Sequence, residues 1–210
     1  GVLKEQIFKA NDIRGVVTGP DPELDLDGAR RLGVAFVELL DLSGGTLVMG
    51  HDMRQLGEEL SAAFADGARR AGASIIDLGL TSTDLLWFGS GQLDLPGVQF
   101  TASHNPARYN GMKFCLAGAS PVRPGFTAEL RERAATAVIG EKIVGGYEER
   151  DLTADFVSHL DHLVPMSGQR RLRVVVDAGN GMGGLIVPAV LADREVDLIG
   201  LYMDLDGTFP

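Results

Sequence analysis

Residues 99–114, QFTASHNPARYNGMKF, place Ser103, His104, Asn105, Arg108, Asn110 and Lys113 in one stretch broken by Pro106 and Gly111. A serine hydroxyl is a weak nucleophile unless a neighbour takes its proton or it carries a group to be transferred. His104 beside Ser103 and Lys113 ten residues on are candidate proton carriers. Asn105 and Asn110 can hydrogen-bond anionic oxygens or hold the loop's shape, and Gly111 permits a close approach before the next strand. An ordinary surface loop has much the same composition, so these residue types alone leave both readings standing.

Three other patterns could carry chemistry. DAGNGMGG at 177–184 satisfies G-x-G-x-x-G through Gly179, Gly181 and Gly184, with Asp204 twenty residues later, the outline of a dinucleotide-binding turn. A tight turn that lets a helix pack on its strand would use the same glycines. The apolar run LIGLYM leads into D-x-D-G-T with Asp204 and Asp206, a carboxylate pair like that of haloacid-dehalogenase-type aspartyl phosphotransferases. There one carboxylate attacks phosphorus and the other handles the proton. Only four residues follow Asp206, however, and that family's catalytic core comes after this motif. Asp155, His159 and His162 have metal-ligand spacing along one helix face, with no fourth ligand in view.

The elements that must hold these groups follow from hydrophobic period. A short apolar piece at 13–17 precedes the turn cluster TGPDPELD, and a helix is predicted over about 26–41. Leu32, Phe36, Leu39 and Leu40 give it one apolar face, and Asp25 or Asp27 caps it. Strands are predicted at 46–50, 73–79, 97–100 and 111–116, with helices over 57–71, 82–90 and 124–139, the last started by Pro124. The serine stretch thus follows a strand's C-terminal end, where open α/β sheets present ligands. Past the Gly-rich, charged segment 139–152 come a helix (152–163), a strand (172–178), the glycine turn, a helix through about 192 and a strand near 196–203. Alternating strands and helices predict an α/β fold: a layered domain with a mixed, largely parallel sheet covered by helices. Residues 1–145 form that domain, and 146–210 begin a second of the same type, incomplete because one crossover buries too little on its own.

At 210 residues, 45% hydrophobic and 23% charged, the chain is long and apolar enough to bury a core. A net charge of −10 argues against a nucleic-acid or anionic-membrane partner, while a locally basic pocket for a small anion stays open. The single Cys115 cannot form an internal disulfide and fits a reducing cytoplasm. No apolar run reaches the roughly 20 residues a membrane-spanning helix needs.

TASHNP followed by YNGMK resembles the catalytic serine loop of the α-D-phosphohexomutases, the phosphomannomutase/phosphoglucomutase superfamily. KANDIRG (9–15) is similar to that family's N-terminal K-A-Y-D-I-R-G, and GHDMR (50–54) resembles G-R-D-x-R. VVVDAGNGMGG looks like the opening of its second domain, and LDGTFP like the segment ahead of its metal loop. Asn11 and His51 depart from the pattern, standing where many members have an aromatic and an arginine.

The resemblance implies that Ser103 carries a phosphoryl group, passed to a hexose phosphate to give a sugar bisphosphate that returns its other phosphoryl. It implies Arg14 as the group stabilising the transferring phosphoryl, and Lys113 and His104 as acid/base or electrostatic groups, with Lys113 the general acid/base. Asn105, Asn110 and Arg54 fall on the phosphate-binding side, Arg54 either supporting the loop or making a surface salt bridge. Mg2+, held here only through the phosphate on Ser103, is the implied cofactor. The metal loop and the domains that read the sugar and its distal phosphate are absent from this sequence, so it is expected not to complete the mutase cycle alone.

Overall fold

The computed structural model describes residues 1–210. Its larger sheet is built from β1 (Asp12–Val16), β2 (Thr46–His51), β3 (Ser74–Leu80), β4 (Gly97–Phe100), β5 (Tyr109–Leu116), the two-residue β6 (Ser120–Pro121) and β7 (Tyr147–Glu149). The strand order is β1-β5-β4-β2-β3-β7, with β6 beside β5. β2 runs parallel to β3 and β4, and β3 to β7; β5 is antiparallel to both β1 and β4. The sheet is therefore mixed and its centre parallel, as the strand–helix alternation predicts. Four consecutive residues of β2 and all of β4 are buried, because helices cover both faces.

One face carries α1 (Leu26–Leu39), α2 (Gly57–Arg70) and α4 (Phe126–Thr136). Beneath them lies an aromatic cluster. Phe36 stacks on Phe114 at 5.7 Å, Phe64 meets Phe100 edge-on at 5.5 Å, and Phe126 packs on Phe36 and Phe114. α1 begins where its cap demands: the Asp25 carboxylate accepts the Gly28 N–H at 2.8 Å. α4 starts later than Pro124 suggests. Gly125 takes a left-handed conformation (φ 83°), so the chain enters the helix only at Phe126, and Pro124 stays outside it.

The other face carries α3 (Thr83–Leu93) and α5 (Thr153–Leu163) over a second cluster that includes Val48, Leu86, Cys115, Leu152 and Phe156. After α5 comes a two-stranded parallel sheet of β8 (Leu172–Asp177) and β9 (Val196–Leu201), joined by the crossover helix α6 (Gly183–Leu191). This is the βαβ start that the sequence predicts. Ile186 of α6 belongs to the second cluster, so the crossover helix packs toward the larger sheet's helices. Segment 139–152, predicted as a boundary, supplies edge strand β7 to the larger sheet. No helix is long and apolar enough to cross a membrane.

Candidate active site

β2 and β4 are neighbours, with His51 opposite Phe100, so the segments leaving their C-terminal ends emerge side by side. From β2 come Asp52 and Arg54; from β4 come Thr101 to Arg108. This adjacency builds the site.

Ser103 is exposed and holds a left-handed backbone (φ 54°), a conformation that costs a residue with a side chain about 1–2 kcal/mol. Its N–H donates to Thr101 Oγ1 at 3.0 Å, and that hydroxyl donates to Asp52 Oδ2 at 2.6 Å. Arg54 supplies the rest of the constraint. Its side chain is 0% exposed, and its guanidinium donates to four carbonyls of the serine loop: Ser103 and Asn105 at 2.7 Å, Pro106 and Tyr109 at 3.0 Å. Arg54 is thus not the surface salt bridge that the sequence also allowed. It is the core around which the loop is wrapped, and its fork of donors suits several carbonyls at once.

Asp52 answers the buried charge. Its Oδ1 accepts the Arg54 N–H at 3.0 Å, and its Oδ2 lies 3.7 Å from Arg54 Nε. Burial pushes the Asp52 carboxyl above its usual range, against the hydrogen bonds from Thr101 and Arg54. Burial likewise lowers Arg54, with Asp52 opposing. Phe209 lies under the same guanidinium, 5.2 Å from ring centroid to Cζ. A Cβ on Gly207 would fall 2.5 Å from the Met53 carbonyl oxygen, so only glycine lets the chain pass there.

The remaining predicted residues divide into two groups. Arg14 on β1 donates to Asn105 Oδ1 at 3.1 Å and pairs with Asp12 at 2.9 Å. Lys113 on β5 stands opposite Asp12 in register, and Arg14 opposite Gly111, so a strip of charged groups crosses β1 and β5 beside the loop. His104 Nδ1 is 3.5 Å from Ser103 Oγ. Asn110, by contrast, is buried: its amide donates to the Gln55 carbonyl, and its Oδ1 accepts the Gly111 N–H. Of its two readings, the shape-holding one has the contacts. Sequence reasoning missed Asp52, Thr101 and Asp12. All three lie inside the quoted motifs, and a carboxylate two residues before an arginine, as in Asp12 with Arg14 and Asp52 with Arg54, was the available signal.

The other patterns fall elsewhere. Gly179 is left-handed (φ 52°), Asn180 N–H donates to the Tyr202 carbonyl, and a Cβ on Gly184 would sit 1.9 Å from the Met203 carbonyl oxygen. These residues serve the packing of α6 on the end of β9. Asp206 accepts both the N–H and the hydroxyl of Thr208, which hold its carboxyl below the usual range. In α5, Asp155 accepts from Gln92, and the His159 ring packs tilted against Phe88, with centroids 5.1 Å apart. No three His, Cys, Asp or Glu side chains cluster so as to hold a metal ion. The residues present do not by themselves make a Mg2+ site.

The arrangement defines an α/β protein that presents a serine on a rigid loop at the ends of parallel strands, beside cationic groups. Residues 5–138 match the family model described as phosphoglucomutase/phosphomannomutase, alpha/beta/alpha domain I. The chain belongs to the phosphoglucomutase/phosphomannomutase family. It is 40% identical over 207 residues to a protein of Xanthomonas campestris pv. campestris named phosphohexose mutases, spanning 97% of this chain and 45% of that protein. A phosphomannomutase of Escherichia coli is 35% identical over 213 residues, 97% of this chain and 46% of its own length. A crystal structure of a phosphoglucomutase/phosphomannomutase family protein from Burkholderia thailandensis superposes with a TM-score of 0.87 at 32% identity, spanning all of this chain and 46% of that one. The chain thus spans about half the length of the curated relatives it matches.

Proposed function

We propose that Ser103 is the phosphoryl carrier of a phosphohexomutase that interconverts hexose 1-phosphate and hexose 6-phosphate. The observation that carries this is the Arg54 clamp: a buried guanidinium holding four loop carbonyls keeps an exposed serine in a costly left-handed conformation. In the proposed cycle the P–O bond to Ser103 Oγ breaks as a new one forms to a free hydroxyl of the bound hexose phosphate. That hydroxyl's proton passes to Lys113, or to His104 beside the serine. The bisphosphorylated sugar then returns its other phosphoryl to Ser103. Arg14 and Asn105, already joined, are positioned for the transferring group's oxygens, where fixed cations absorb spreading charge. Arg54 and Asn110 keep the loop in shape.

The proposed boundary lies near residue 145, within the segment that leads into β7 and α5. The proposed setting is the cytoplasm. Mg2+ is proposed on the phosphoryl oxygens, with its remaining ligands outside these 210 residues, so no step is assigned to it. The groups that read the sugar hydroxyls are proposed to belong to the half of the relatives that this chain does not span.

Incubation with glucose 1,6-bisphosphate followed by intact-mass spectrometry tests the carrier. A species heavier by one phosphoryl, about 80 Da, mapped to Ser103 and lost in Ser103→Ala, is expected. Absence of that species, or phosphate on another residue, would refute the proposal.

A further inference from the structure

The glycine turn at 177–184 and the D-x-D-G-T string at 204–208 lie far from Ser103 in the sequence, yet the structure joins them to its loop. Asn180, left-handed at φ 60°, stands between the two. Its side-chain amide donates to the Asp204 carbonyl at 3.0 Å, and its own carbonyl accepts the Asp206 N–H at 2.9 Å. Asp206 then folds the chain back on itself. Its carboxylate accepts the Thr208 N–H and hydroxyl, and its carbonyl accepts the Phe209 N–H at 3.1 Å. The result is a bracket at the end of β9 that carries Gly207 and Phe209 to the segment leaving β2.

There the two chains touch closely. Gly207 is buried, and a Cβ on it would fall 2.5 Å from the Met53 carbonyl oxygen and 2.9 Å from Arg54 Cα. Phe209 is held left-handed (φ 49°), which is rare for a bulky side chain and persists only where the surroundings over-determine it. Arg54 Cζ lies over the Phe209 ring, 5.2 Å from its centroid. Both Nη groups of Arg54 are already committed to the carbonyls of Ser103, Asn105, Pro106 and Tyr109. A guanidinium is weakly hydrated and stacks on aromatic faces, and a cation–π contact is worth most where water is excluded. Water admitted here would compete with the loop carbonyls for the same donors.

We propose that Phe209 is a positioning residue for Ser103. Seated by the Asn180–Asp206 bracket, its ring covers the Arg54 guanidinium and keeps water from the four bonds that shape the serine loop. The unit of β8, α6 and β9 is thereby keyed to that loop, and the loop is rigid only while the bracket is docked. The proposal rests on the carrier reading above for its kinetic readout alone, since loop rigidity is measured without any phosphoryl group.

The test compares the full chain with Phe209→Leu, Phe209→Tyr and Gly207→Ala. Leucine keeps an apolar cover and removes the aromatic face, tyrosine keeps that face, and Gly207→Ala drives the turn off Met53 with the ring intact. Hydrogen exchange read by mass spectrometry is followed over the serine loop, with β2 and β4 as internal references. Exchange in the loop is expected to rise about tenfold in Phe209→Leu and in Gly207→Ala, to stay near wild type in Phe209→Tyr, and to leave the references unchanged. Phosphoryl capture from glucose 1,6-bisphosphate is expected to slow by a similar factor at saturation, with little change in the half-saturating concentration. Loop exchange unchanged in Phe209→Leu, or raised equally in Phe209→Tyr, overturns the proposal. Exchange raised equally in β2 and β4 does so too, because Phe209 then serves only general stability. The two readings fail separately. Normal loop exchange in Phe209→Leu with intact capture removes the positioning role and keeps the carrier, whereas a wild type that captures no phosphoryl removes the carrier and leaves the exchange result to decide positioning.

Discussion

Replacing Arg54 with methionine removes the loop's central support while keeping most of its volume. Asp52, 6% exposed, is then left as a buried carboxylate without its counter-charge. Breaking a buried ion pair from one side costs about 3–5 kcal/mol. Asp52 keeps its bonds from the Thr101 hydroxyl and the residue-54 N–H, which places the loss near the lower end. The four released carbonyls border exposed Ser103 and Pro106 and can rehydrate in part, so they add less than a fully buried set would. A loss of about 3 kcal/mol, at a urea m-value of about 2 kcal/mol/M, lowers the unfolding midpoint by about 1.5 M.

The charge argument adds a pH signature. Burial already raises Asp52 above its ordinary 3.8, and without Arg54 it rises further. A folded state that binds the proton more tightly than the unfolded chain gains stability as pH falls through the raised value. The deficit of Arg54→Met is therefore largest at neutral pH and narrows in acid. Adding Asp52→Asn to Arg54→Met is expected to recover part of the loss at pH 7. A midpoint shift below about 0.3 M, or a double variant no more stable than the single one at pH 7, would show that the pair is not what holds the loop.

Ser103→Gly relieves the left-handed strain, so it is expected to stabilise the protein by about 1 kcal/mol in urea unfolding while abolishing phosphoryl capture; unchanged or lower stability would mean the φ value carries no strain. Glu23 is held below its usual range first by the Val16 N–H and then by Gln6, so its contribution is present above pH 4.5 and is lost as pH falls through the lowered value. The stability gap between the wild type and Glu23→Gln is accordingly expected to close in acid, and a gap that stays constant from pH 7 to pH 3 would contradict the assignment.

Local period and turn chemistry made the element series legible: Asp25 as a cap, the buried runs of β2 and β4, and the βαβ start at β8. Those signals are short-range, because alternation and capping depend on neighbours a few residues apart. The start of α4 was misplaced because Pro124 is an equally good signal one residue before a glycine that turns left-handed. Edge strand β7 went unread because its pairing partner, β3, is about seventy residues away. The candidate residues around Ser103 were legible as types, but their roles were not. Whether Asn110 faces a ligand or the Gln55 carbonyl is decided by strand placement.

By itself, then, the sequence determined an α/β layering, a serine loop after β4 and the family that loop resembles. Only the tertiary structure decided that Arg54 lies inside that loop instead of on the surface, that Asp52 and Thr101 brace it, and that Asn110 donates to the Gln55 carbonyl. The physical reason is common to all three. Each relation spans two elements whose adjacency follows from strand order in the sheet, and burial, not residue type, then fixes which polar groups are left to spend on a ligand.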